Sequence, residues 1–270
     1  MPSSLVDRVT TLLAEVVAEE VVGRFRNLSR HDIEEKPTDS DPDDIVTVVD
    51  RLVEARLERA LLALLPGSVV IGEEAVHAQP QRLDGLARAA PAWLIDPIDG
   101  TKNFARGDDA FGVMIALVEA GVTRASWIAL PARGQTFVAE AGGGASLNGV
   151  RVRTPARPVP LRGTFYTRFM PPALATVIER DLAGRYLAQE GPGAAAVEYT
   201  SVVQGEKDFV VYYRLHPWDH GPGALLLTEA GGRVEHADGR PYTPRSPSQL
   251  TILGASPAVT AAVRGWLPRS

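Results

Sequence analysis

The stretch WLIDPIDGTKNF, residues 93–104, joins an apolar run to two closely spaced carboxylates. The run AWLI at residues 92–95 is short, apolar and partly aromatic, which predicts a buried strand. Asp96 and Asp99 follow it with a proline between them that fixes one backbone angle, and Gly100 allows the chain to turn sharply. The sequence therefore predicts a strand whose end points two acidic side chains at a common centre.

Other acidic residues also occur where an apolar element ends. Glu73 and Glu74 follow the predicted strand SVVIG, and Asp219 follows RLHPW and precedes a predicted short helix. Ligands gather at strand ends in sheets that are flanked by helices. Clustered carboxylates repel one another by roughly a few kcal/mol per close pair at an effective dielectric of about 20. Such a cluster persists only when it is protonated, salt-bridged or bound to cations.

Divalent cations are the partners that this composition favours. Few arginines or lysines lie beside the acidic motifs, and the chain has 5 histidines and no cysteine. Hard oxygen ligands without thiolates favour Mg²⁺ or Mn²⁺ over zinc. The carbonyl of Ile98 is a further candidate ligand between the two aspartates. The backbone amides of Gly100, Thr101 and Lys102 would form a cradle for an anion, helped if a helix begins there.

Each of these signals also has a plainer interpretation. Asp96 and Asp99 could cap a turn, Asp219 could be the N-cap of its helix, and the two glutamates after SVVIG could lie on a solvated loop. Asp50 and Glu54, on one face of a predicted helix, could be a solvated pair. The occurrence of all these acids in one chain favours a shared site over the separate interpretations.

Composition limits the class of protein. The chain has 270 residues, of which 45% are hydrophobic, enough for one large domain or two closely packed ones. Its 33 acidic and 28 basic side chains give a net charge of −5 without a basic cluster, which argues against nucleic acid as a ligand. The lack of cysteine excludes disulfides and zinc–thiolate sites and fits a cytoplasmic protein. The sequence shows no signal peptide and no apolar run of about 20 residues, so no membrane span is predicted.

The order of predicted elements indicates a mixed α/β protein. Two helices, one capped by Ser4 and one starting near Thr47 with Leu52 on its core side, precede a series of strands. The strands include a hairpin with an Asn148-Gly149 turn. Strands and helices then alternate, with one helix predicted across residues 171–189, one ended by Gly205, and a short one that starts at residue 222 and stops at Gly231-Gly232. The polar stretch at residues 30–44 is predicted to be a mobile, solvated loop.

A domain boundary is predicted within the proline- and arginine-rich stretch RTPARPVPLRG, residues 153–163. It would separate an N-terminal part, residues 1–155, which carries most of the candidate ligands, from a C-terminal part, residues 156–270, which completes the site.

Five motifs together resemble the inositol monophosphatase family of Mg²⁺-dependent sugar-phosphate phosphatases. They occur in family order and at similar intervals: IVTVVDRLVE (45–54), VVIGEEA (69–75), WLIDPIDGTKNFARG (93–107), GGGASLNGVRVRT (142–154) and HPWDHGPGALLLTEAGGRV (216–234). The combination of DPIDGT with WD and EAGG is highly specific. The resemblance implies a layered αβαβα sandwich, a homodimer, and an enzyme that hydrolyses phosphate monoesters by attack of a metal-activated water.

The resemblance also implies a role for each matching residue. The metal ligands would be Glu73, Asp96, the carbonyl of Ile98, Asp99 and Asp219. The catalytic residues would be Thr101, which orients the attacking water, Asp50, which accepts a hydrogen bond from the threonine hydroxyl, and Glu73. The substrate would contact Gly100, Thr101, Lys102, Arg168 and Tyr212. Lys36 is the candidate for a loop lysine that the family often carries.

Departures from the family pattern lie on the substrate side. Tyr212 stands seven residues before Asp219, where inositol-type enzymes usually carry an acid, and WDHGPG replaces the commoner WDxAAG. The candidate specificity residues are Arg168, Tyr212, Tyr213, Arg214, His216 and His220. We interpret His220 as a surface residue near a helix start and Glu198 as a structural contact.

The substrate class therefore stays open. Inositol monophosphate, fructose 1,6-bisphosphate, histidinol phosphate and 3′-phosphoadenosine 5′-phosphate are the candidates, all of them small phosphorylated metabolites. Because some relatives also bind the transcription machinery, a role chiefly as an interaction protein is the alternative. An idle carboxylate cluster costs stability, which favours the enzyme.

Overall fold

The computed structural model of the chain describes residues 4–38, 41–155, 160–182 and 184–268. The α-helices are α1 (Leu5–Val16), α2 (Val48–Leu64), α3 (Glu73–Ala78), α4 (Thr101–Arg106), α5 (Pro172–Asp181), α6 (Ala195–Gln204), α7 (Pro217–Glu229) and α8 (Pro257–Arg264). A π-helical segment (Val17–Val22) and short 3₁₀ segments (Arg30–Asp32, Pro80–Ala87, Pro131–Arg133) accompany them.

The strands form three sheets. They are β1 (Ile33–Glu35), β2 (Ile45–Thr47), β3 (Val69–Gly72), β4 (Ala92–Asp99), β5 (Gly112–Glu119), β6 (Val122–Leu130), β7 (Gln135–Glu140), β8 (Gly144–Leu147), β9 (Val150–Val152), β10 (Arg162–Phe165), β11 (Leu187–Ala188), β12 (Phe209–Tyr212), β13 (Arg233–His236) and β14 (Thr251–Gly254). Strands β3 to β9 make a seven-stranded sheet in chain order, with only β3 and β4 parallel. The five-stranded sheet has the order β11-β10-β12-β14-β13, and β1 pairs with β2 alone.

The elements stack in five alternating layers of helices and sheets. Helices α1 and α2 cover one face of the seven-stranded sheet, and α6 and α7 lie between the two large sheets. Helices α5 and α8 cover the outer face of the five-stranded sheet. This arrangement confirms the predicted mixed α/β class and the αβαβα sandwich.

Strand β4 shows how the sequence produces this layering. Alternate residues of a strand point to opposite faces, and both faces of β4 are covered by helices, so the whole strand is buried. Trp93 and Ile95 pack with Val49 and Val53 of α2, whereas Leu94 packs with Trp218 of α7. The strand therefore reads as a continuous apolar run until its acidic end.

Several local predictions are confirmed. Ser4 caps α1 and Thr47 caps α2, in each case with an aspartate three residues later that completes a capping box. Gly205 ends α6 in the left-handed conformation that glycine adopts without strain. Asn148 and Gly149, both with positive φ, form the turn between β8 and β9.

Two predictions about the N-terminal half are wrong. Residues 30–44 are not a solvated loop throughout, because β1 pairs with β2 and both Lys36 and Asp41 are buried. Leu52 is 39% exposed, whereas Val53 beside it is fully buried. The buried stripe of α2 contains Val49, Val53, Leu57 and Leu61 at four-residue spacing, which leaves Leu52 outside it.

Two predictions about the C-terminal half also need correction. The helix expected across residues 171–189 ends at Asp181, and Leu187–Ala188 instead extend the five-stranded sheet beside β10. Helix α7 begins at Pro217 and not at residue 222, so Pro222 lies inside it. Pro222 cannot donate a hydrogen bond to the carbonyl of Trp218, and its ring crowds that carbonyl, but the burial of α7 between the sheets outweighs this cost.

The predicted domain boundary falls partly on residues 156–159, which lie outside the described residues. The seven-stranded sheet is built from residues 69–152 and the five-stranded sheet from residues 162–254. A division into residues 1–155 and 156–270 remains a prediction. None of the helices in the described part of the chain is both long and apolar enough to cross a bilayer.

Candidate functional site

A cavity of about 590 Å³ lies where the predicted acidic motifs meet. Its lining includes the candidate metal ligands Glu73, Asp96, Ile98, Asp99 and Asp219 and the candidate substrate contacts Gly100, Thr101, Lys102, Arg168 and Tyr212. Segments that are far apart in the sequence therefore contribute to one site.

The acids reach this cavity from the ends of three elements. Glu73 is the first residue of α3, directly after β3, and Asp96 and Asp99 are at the end of β4. Strand β4 continues through both aspartates, but its pairing with β5 is irregular between them. Asp219 lies in the first turn of α7, whose N-cap is His216, so the N-cap interpretation of Asp219 is wrong.

Asp99 also holds the start of helix α6. Its two carboxylate oxygens accept hydrogen bonds from the backbone amides of Ala195 at 3.0 Å and Ala196 at 2.6 Å. These amides belong to the first turn of α6, where backbone donors lack partners within the helix. Asp99 therefore both caps a helix and faces the cavity, so its capping role does not exclude a role as a metal ligand.

Burial and mutual repulsion favour the protonated form of these carboxyl groups. Burial, reinforced by the nearby Glu73, raises the pKa of Asp96 well above its ordinary value. Burial and repulsion by Asp99 raise the pKa of Asp219 in the same way. Burial also raises the pKa of Asp99 to about 7, although its two backbone hydrogen bonds oppose the shift. The site therefore resists accumulation of negative charge unless a cation compensates it.

Lys36 supplies one positive charge that adjacency in the sequence does not reveal. Its ammonium group lies 2.9 Å from Glu73 and 2.6 Å from Glu74. Burial alone would lower the pKa of Lys36, but the attraction of these two carboxylates reverses the effect and raises it. Few basic residues lie beside the acids in the sequence, but Lys36 lies beside Glu73 in the folded protein.

The carboxylates of Asp96, Asp99 and Asp219 are chemically suited to bind a divalent cation. Within residues 4–38, 41–155, 160–182 and 184–268, no three His, Asp or Glu side chains are already arranged as a metal site. However, Oδ1 of Asp96 is buried without a hydrogen-bond partner. A buried polar oxygen without a partner is costly, and a bound cation would satisfy it. Hard oxygen donors suit Mg²⁺ or Mn²⁺, as the composition indicates.

Thr101 and Asp50 are brought together as the sequence predicts. The threonine hydroxyl lies 3.3 Å from Oδ1 of Asp50 and 3.0 Å from the carbonyl oxygen of Ile98. The other Asp50 oxygen, Oδ2, accepts hydrogen bonds from the amide and hydroxyl of Thr47 at 2.9 and 2.6 Å. Asp50 is fully buried, which corrects the solvated-pair interpretation, and burial raises its pKa to about 7.

Glu54 is a supporting residue whose role the sequence does not reveal. Its carboxylate accepts hydrogen bonds from the amides of Glu74 at 2.9 Å and Ala75 at 2.8 Å, at the start of α3. Gly72 precedes this helix, and a Cβ there would collide with the Glu54 carboxylate. Glu54 therefore fixes the helix start that carries Glu73. In the sequence, only the four-residue spacing between Asp50 and Glu54 on α2 indicates that Glu54 lies near the same site.

The two predicted basic substrate contacts share an acidic partner. The Lys102 ammonium lies 3.1 Å from both carboxylate oxygens of Asp41, and an Arg168 guanidinium nitrogen lies 2.9 Å from one of them. Asp41 comes from the polar stretch between β1 and β2 and was not identified as a site residue from the sequence. No local pattern around it would have indicated this contact.

Aromatic rings and histidines form another wall. Tyr212 stacks on Tyr166, with ring centroids 4.7 Å apart, and its hydroxyl is buried without a hydrogen-bond partner. His220 is buried, so its interpretation as a surface residue is wrong. Because a carbonyl can only accept, His220 Nε2 donates to the Arg214 carbonyl at 3.1 Å, and Nδ1 accepts from Tyr199. Burial lowers the pKa of His220 to about 3, which keeps it neutral.

The other candidate specificity residues differ in position. His216 lines the cavity and stacks on Trp218, whereas Tyr213 packs against the outer core of the five-stranded sheet. Arg214 lies over the ring of Phe169, 3.7 Å from its centroid. Glu198 is buried against Lys207 and accepts a hydrogen bond from Tyr166 at 2.7 Å. These contacts tie the cavity wall to the core.

Known proteins of similar sequence and fold complete this description. A sequence model of the inositol monophosphatase family matches residues 3–264. A fructose-1,6-bisphosphatase/inositol-1-monophosphatase of Thermotoga maritima is 32% identical over 202 residues, 73% of each chain. The Nus factor SuhB of Pseudomonas aeruginosa is 33% identical over 225 residues, 80% of each chain. The solved structure of Thermotoga maritima IMPase has a TM-score of 0.80 at 27% identity, covering 96% of this chain and 95% of that one.

Proposed function

Since the chain belongs to the inositol monophosphatase family, we propose that it is a Mg²⁺-dependent phosphomonoesterase acting on a small phosphorylated polyol or sugar. The observation that supports this proposal best is the meeting of Glu73, Asp96, Asp99 and Asp219 at one cavity beside the Thr101–Asp50 pair. Such a set of oxygen donors suits divalent cations, and such cations suit phosphate esters.

The proposed metal ligands are Glu73, Asp96, the Ile98 carbonyl, Asp99 and Asp219. Bound Mg²⁺, or Mn²⁺ in its place, would neutralise the charge of the phosphoryl oxygens and lower the pKa of a water. The protein contributes a buried setting in which the carboxylates favour a cation over free ionisation.

Thr101 is proposed to position the attacking water. When its hydroxyl donates to Asp50, the lone pairs of the threonine oxygen remain free to accept a hydrogen bond from water. Asp50 is itself held by Thr47, so the orientation of this pair is fixed by the start of α2. Such an arrangement orients the nucleophile without requiring threonine to act as a strong base.

The other proposed substrate contacts surround this centre. The amides of Gly100 and Thr101 lie at the start of α4, where backbone donors lack partners within the helix and suit an anion. Lys102 and Arg168 provide positive charge, and Tyr212 provides a buried hydroxyl at the cavity wall. A tyrosine in place of an acid favours a substrate other than inositol monophosphate.

The decisive experiment is phosphate release from a panel of phosphate monoesters. The panel contains inositol 1-phosphate, fructose 1,6-bisphosphate, histidinol phosphate and 3′-phosphoadenosine 5′-phosphate, each with Mg²⁺, with Mn²⁺ and with EDTA. We expect release from at least one ester with either metal and none with EDTA. Metal-independent release, or no release from any ester, would contradict the proposal.

A second candidate function is binding to the transcription machinery. It is favoured by the relative from Pseudomonas aeruginosa that is named Nus factor SuhB. Surface plasmon resonance with purified bacterial RNA polymerase would test it. Binding that persists in an Asp96→Asn variant without phosphatase activity would separate this role from catalysis, and absence of binding would argue against it.

A further inference from the structure

Three charged side chains from separate parts of the chain meet at the cavity. Asp41 comes from the stretch between β1 and β2, Lys102 from α4, and Arg168 from the segment that follows β10. The Asp41 carboxylate is the common partner of the two cations, at 3.1 Å from Lys102 and 2.9 Å from Arg168. All three residues line the cavity that contains the proposed reaction centre.

The backbone of Asp41 makes most of the hydrogen bonds described within its own turn. The backbone of Asp41 exchanges hydrogen bonds with the backbone of Thr38 at 3.0 and 3.2 Å, and its carbonyl also accepts from the Asp44 amide at 3.2 Å. Among the described residues of this turn, the carboxylate accepts one hydrogen bond, from the Asp43 amide at 3.3 Å. The strongest contacts of the carboxylate are therefore made with the cations across the cavity.

The two cations remain open to the cavity while the acid is covered. The Asp41 side chain is 9% exposed, whereas the side chains of Lys102 and Arg168 are 29% and 54% exposed. An incoming anion can therefore reach both cations from the cavity, and it must compete with the buried Asp41 carboxylate for them. Lys102 also follows Thr101 directly, which places this pair of cations next to the reaction centre.

We infer that Asp41 is a specificity-determining residue that occupies an anion subsite formed by Lys102 and Arg168. The ligand of this subsite is a second phosphate group, carried by a substrate in addition to the phosphate that is hydrolysed. This inference rests on the proposed function for the identity of its ligand. Asp41 and the second phosphate compete for the same two cations.

Charge and geometry determine which ligands displace Asp41 from the two cations. A phosphate dianion carries more charge and more acceptor oxygens than a carboxylate, so it pairs with both cations more strongly. A neutral hydroxyl at the same place offers no charge and leaves Asp41 bound. The protein thereby distinguishes a bisphosphorylated ligand from a monophosphorylated one of the same shape.

An Asp41→Asn substitution tests this inference by direct binding. The amide retains an oxygen for the Asp43 amide but loses the charge that neutralises Lys102 and Arg168. Calorimetric titration in an EDTA-containing buffer uses fructose 1,6-bisphosphate and fructose 6-phosphate as probes. We expect the variant to bind the bisphosphate about tenfold more tightly than the unaltered protein and the monophosphate with less than about a twofold change.

Asp43→Asn is the matched control, because it removes the same charge from an exposed side chain of the same turn. We expect this control to change neither affinity. In an Arg168→Met background, Asp41→Asn should increase bisphosphate affinity by a clearly smaller factor, because one of the two cations is gone.

Three outcomes would overturn the inference. They are unchanged or weaker bisphosphate binding in Asp41→Asn, an equal gain in Asp43→Asn, or an equal gain for both probes. Because binding is measured without turnover, these outcomes are distinct from a failure of the proposed function. A protein that releases no phosphate from any ester and yet shows the selective gain would contradict only the hydrolytic proposal.

Discussion

At the residue scale, Asp50 serves two parts of the molecule with its two oxygens. One oxygen completes the capping box of α2 through Thr47, and the other faces the Thr101 hydroxyl. The cap fixes the side chain, so the distance to Thr101 does not depend on a flexible rotamer. The aspartate that completes the capping box of α2 is therefore also a candidate positioning group.

Replacement of Thr101 tests this arrangement. Thr101→Ala should retain the fold and reduce turnover by roughly 10²–10⁴, the usual scale for a group that handles a proton. Steady-state kinetics on the ester identified in the panel provide the measurement. Thr176→Ala, an exposed helix threonine that bonds only to the backbone, is the control and should retain activity. Near-normal turnover in Thr101→Ala would refute the role of Thr101.

The proposed metal ligands make a separate prediction. Asp96→Asn and Asp219→Asn should each require at least about tenfold more Mg²⁺ for half-maximal activity, because each removes a charged oxygen donor. A metal titration of activity measures the shift. The exposed Asp84→Asn substitution carries the same chemical change away from the cavity and should match the unaltered protein. Identical titration curves for all these proteins would refute the ligand assignments.

At the element scale, the short helix α3 depends on a side chain from α2. Glu54 accepts two of the amide hydrogen bonds at the start of α3, and Gly72 leaves the space that this contact requires. A six-residue helix has little stability of its own. The position of Glu73 thus depends on how α2 and α3 pack.

Glu54→Gln should weaken this junction. Its amide nitrogen would face a backbone N–H, leaving a buried donor unpaired at a cost of about 1–3 kcal/mol in the free energy of unfolding. The Mg²⁺ requirement should rise as well, because Glu73 loses its support. Urea denaturation and the metal titration measure the two effects.

Glu58→Gln, one turn further along α2, is the matched control. Glu58 pairs with Arg82 at 3.0 Å near the surface, and both side chains are about one-third exposed. Its loss should cost less than about 1 kcal/mol and leave the metal requirement unchanged. Equal effects of the two substitutions would show that Glu54 does not position α3.

At the scale of the whole molecule, the layers bury ionisable groups that are unfavourable without a cation. Asp96, Asp99 and Asp219 have raised pKa values because they are buried close together between layers. Ionised carboxylates therefore destabilise the folded protein at this site, and a bound cation would remove that destabilisation.

This cost predicts how stability depends on pH. A carboxyl group whose pKa is raised on folding contributes stability that is present below its unfolded pKa, about 4, and is lost as the pH rises through its folded pKa. For Asp99 the folded value is about 7, and for Asp96 and Asp219 the shift is upward as well. Histidines with lowered pKa values, such as His220, oppose this trend only below about pH 6.5, where the unfolded form gains a proton.

The metal-free protein should therefore lose stability as the pH rises from about 6.5 through the folded pKa of Asp99, about 7. Urea denaturation in EDTA measures this loss. Millimolar Mg²⁺ should reduce it, because a bound cation favours the ionised carboxylates. Asp96→Asn should flatten the metal-free profile. A profile that rises over this interval in EDTA would contradict the prediction.

Other whole-molecule properties stay predictions. The homodimer and the cytoplasmic location follow from the family resemblance and from the lack of cysteine. Analytical ultracentrifugation would test the first. The use of Mg²⁺ or Mn²⁺ is tested by the phosphate-release panel.

The sequence by itself determined most of the elements and the family of this protein. Apolar periodicity located α2 and β4, and capping residues located the start of α2 and the end of α6, because these signals act over a few neighbouring residues. The resemblance of five sequence motifs was enough to identify the family, and it named the candidate site residues.

Only the tertiary structure decided how distant charges pair. Lys36 lies against Glu73, Asp41 lies between Lys102 and Arg168, and His220 is buried, none of which follows from neighbours in the sequence. The boundaries of α5 and α7 were likewise set by packing against the sheets. The physical reason is that helix and strand signals are local, whereas an ion pair depends on the folding of two remote segments to within about 4 Å of each other.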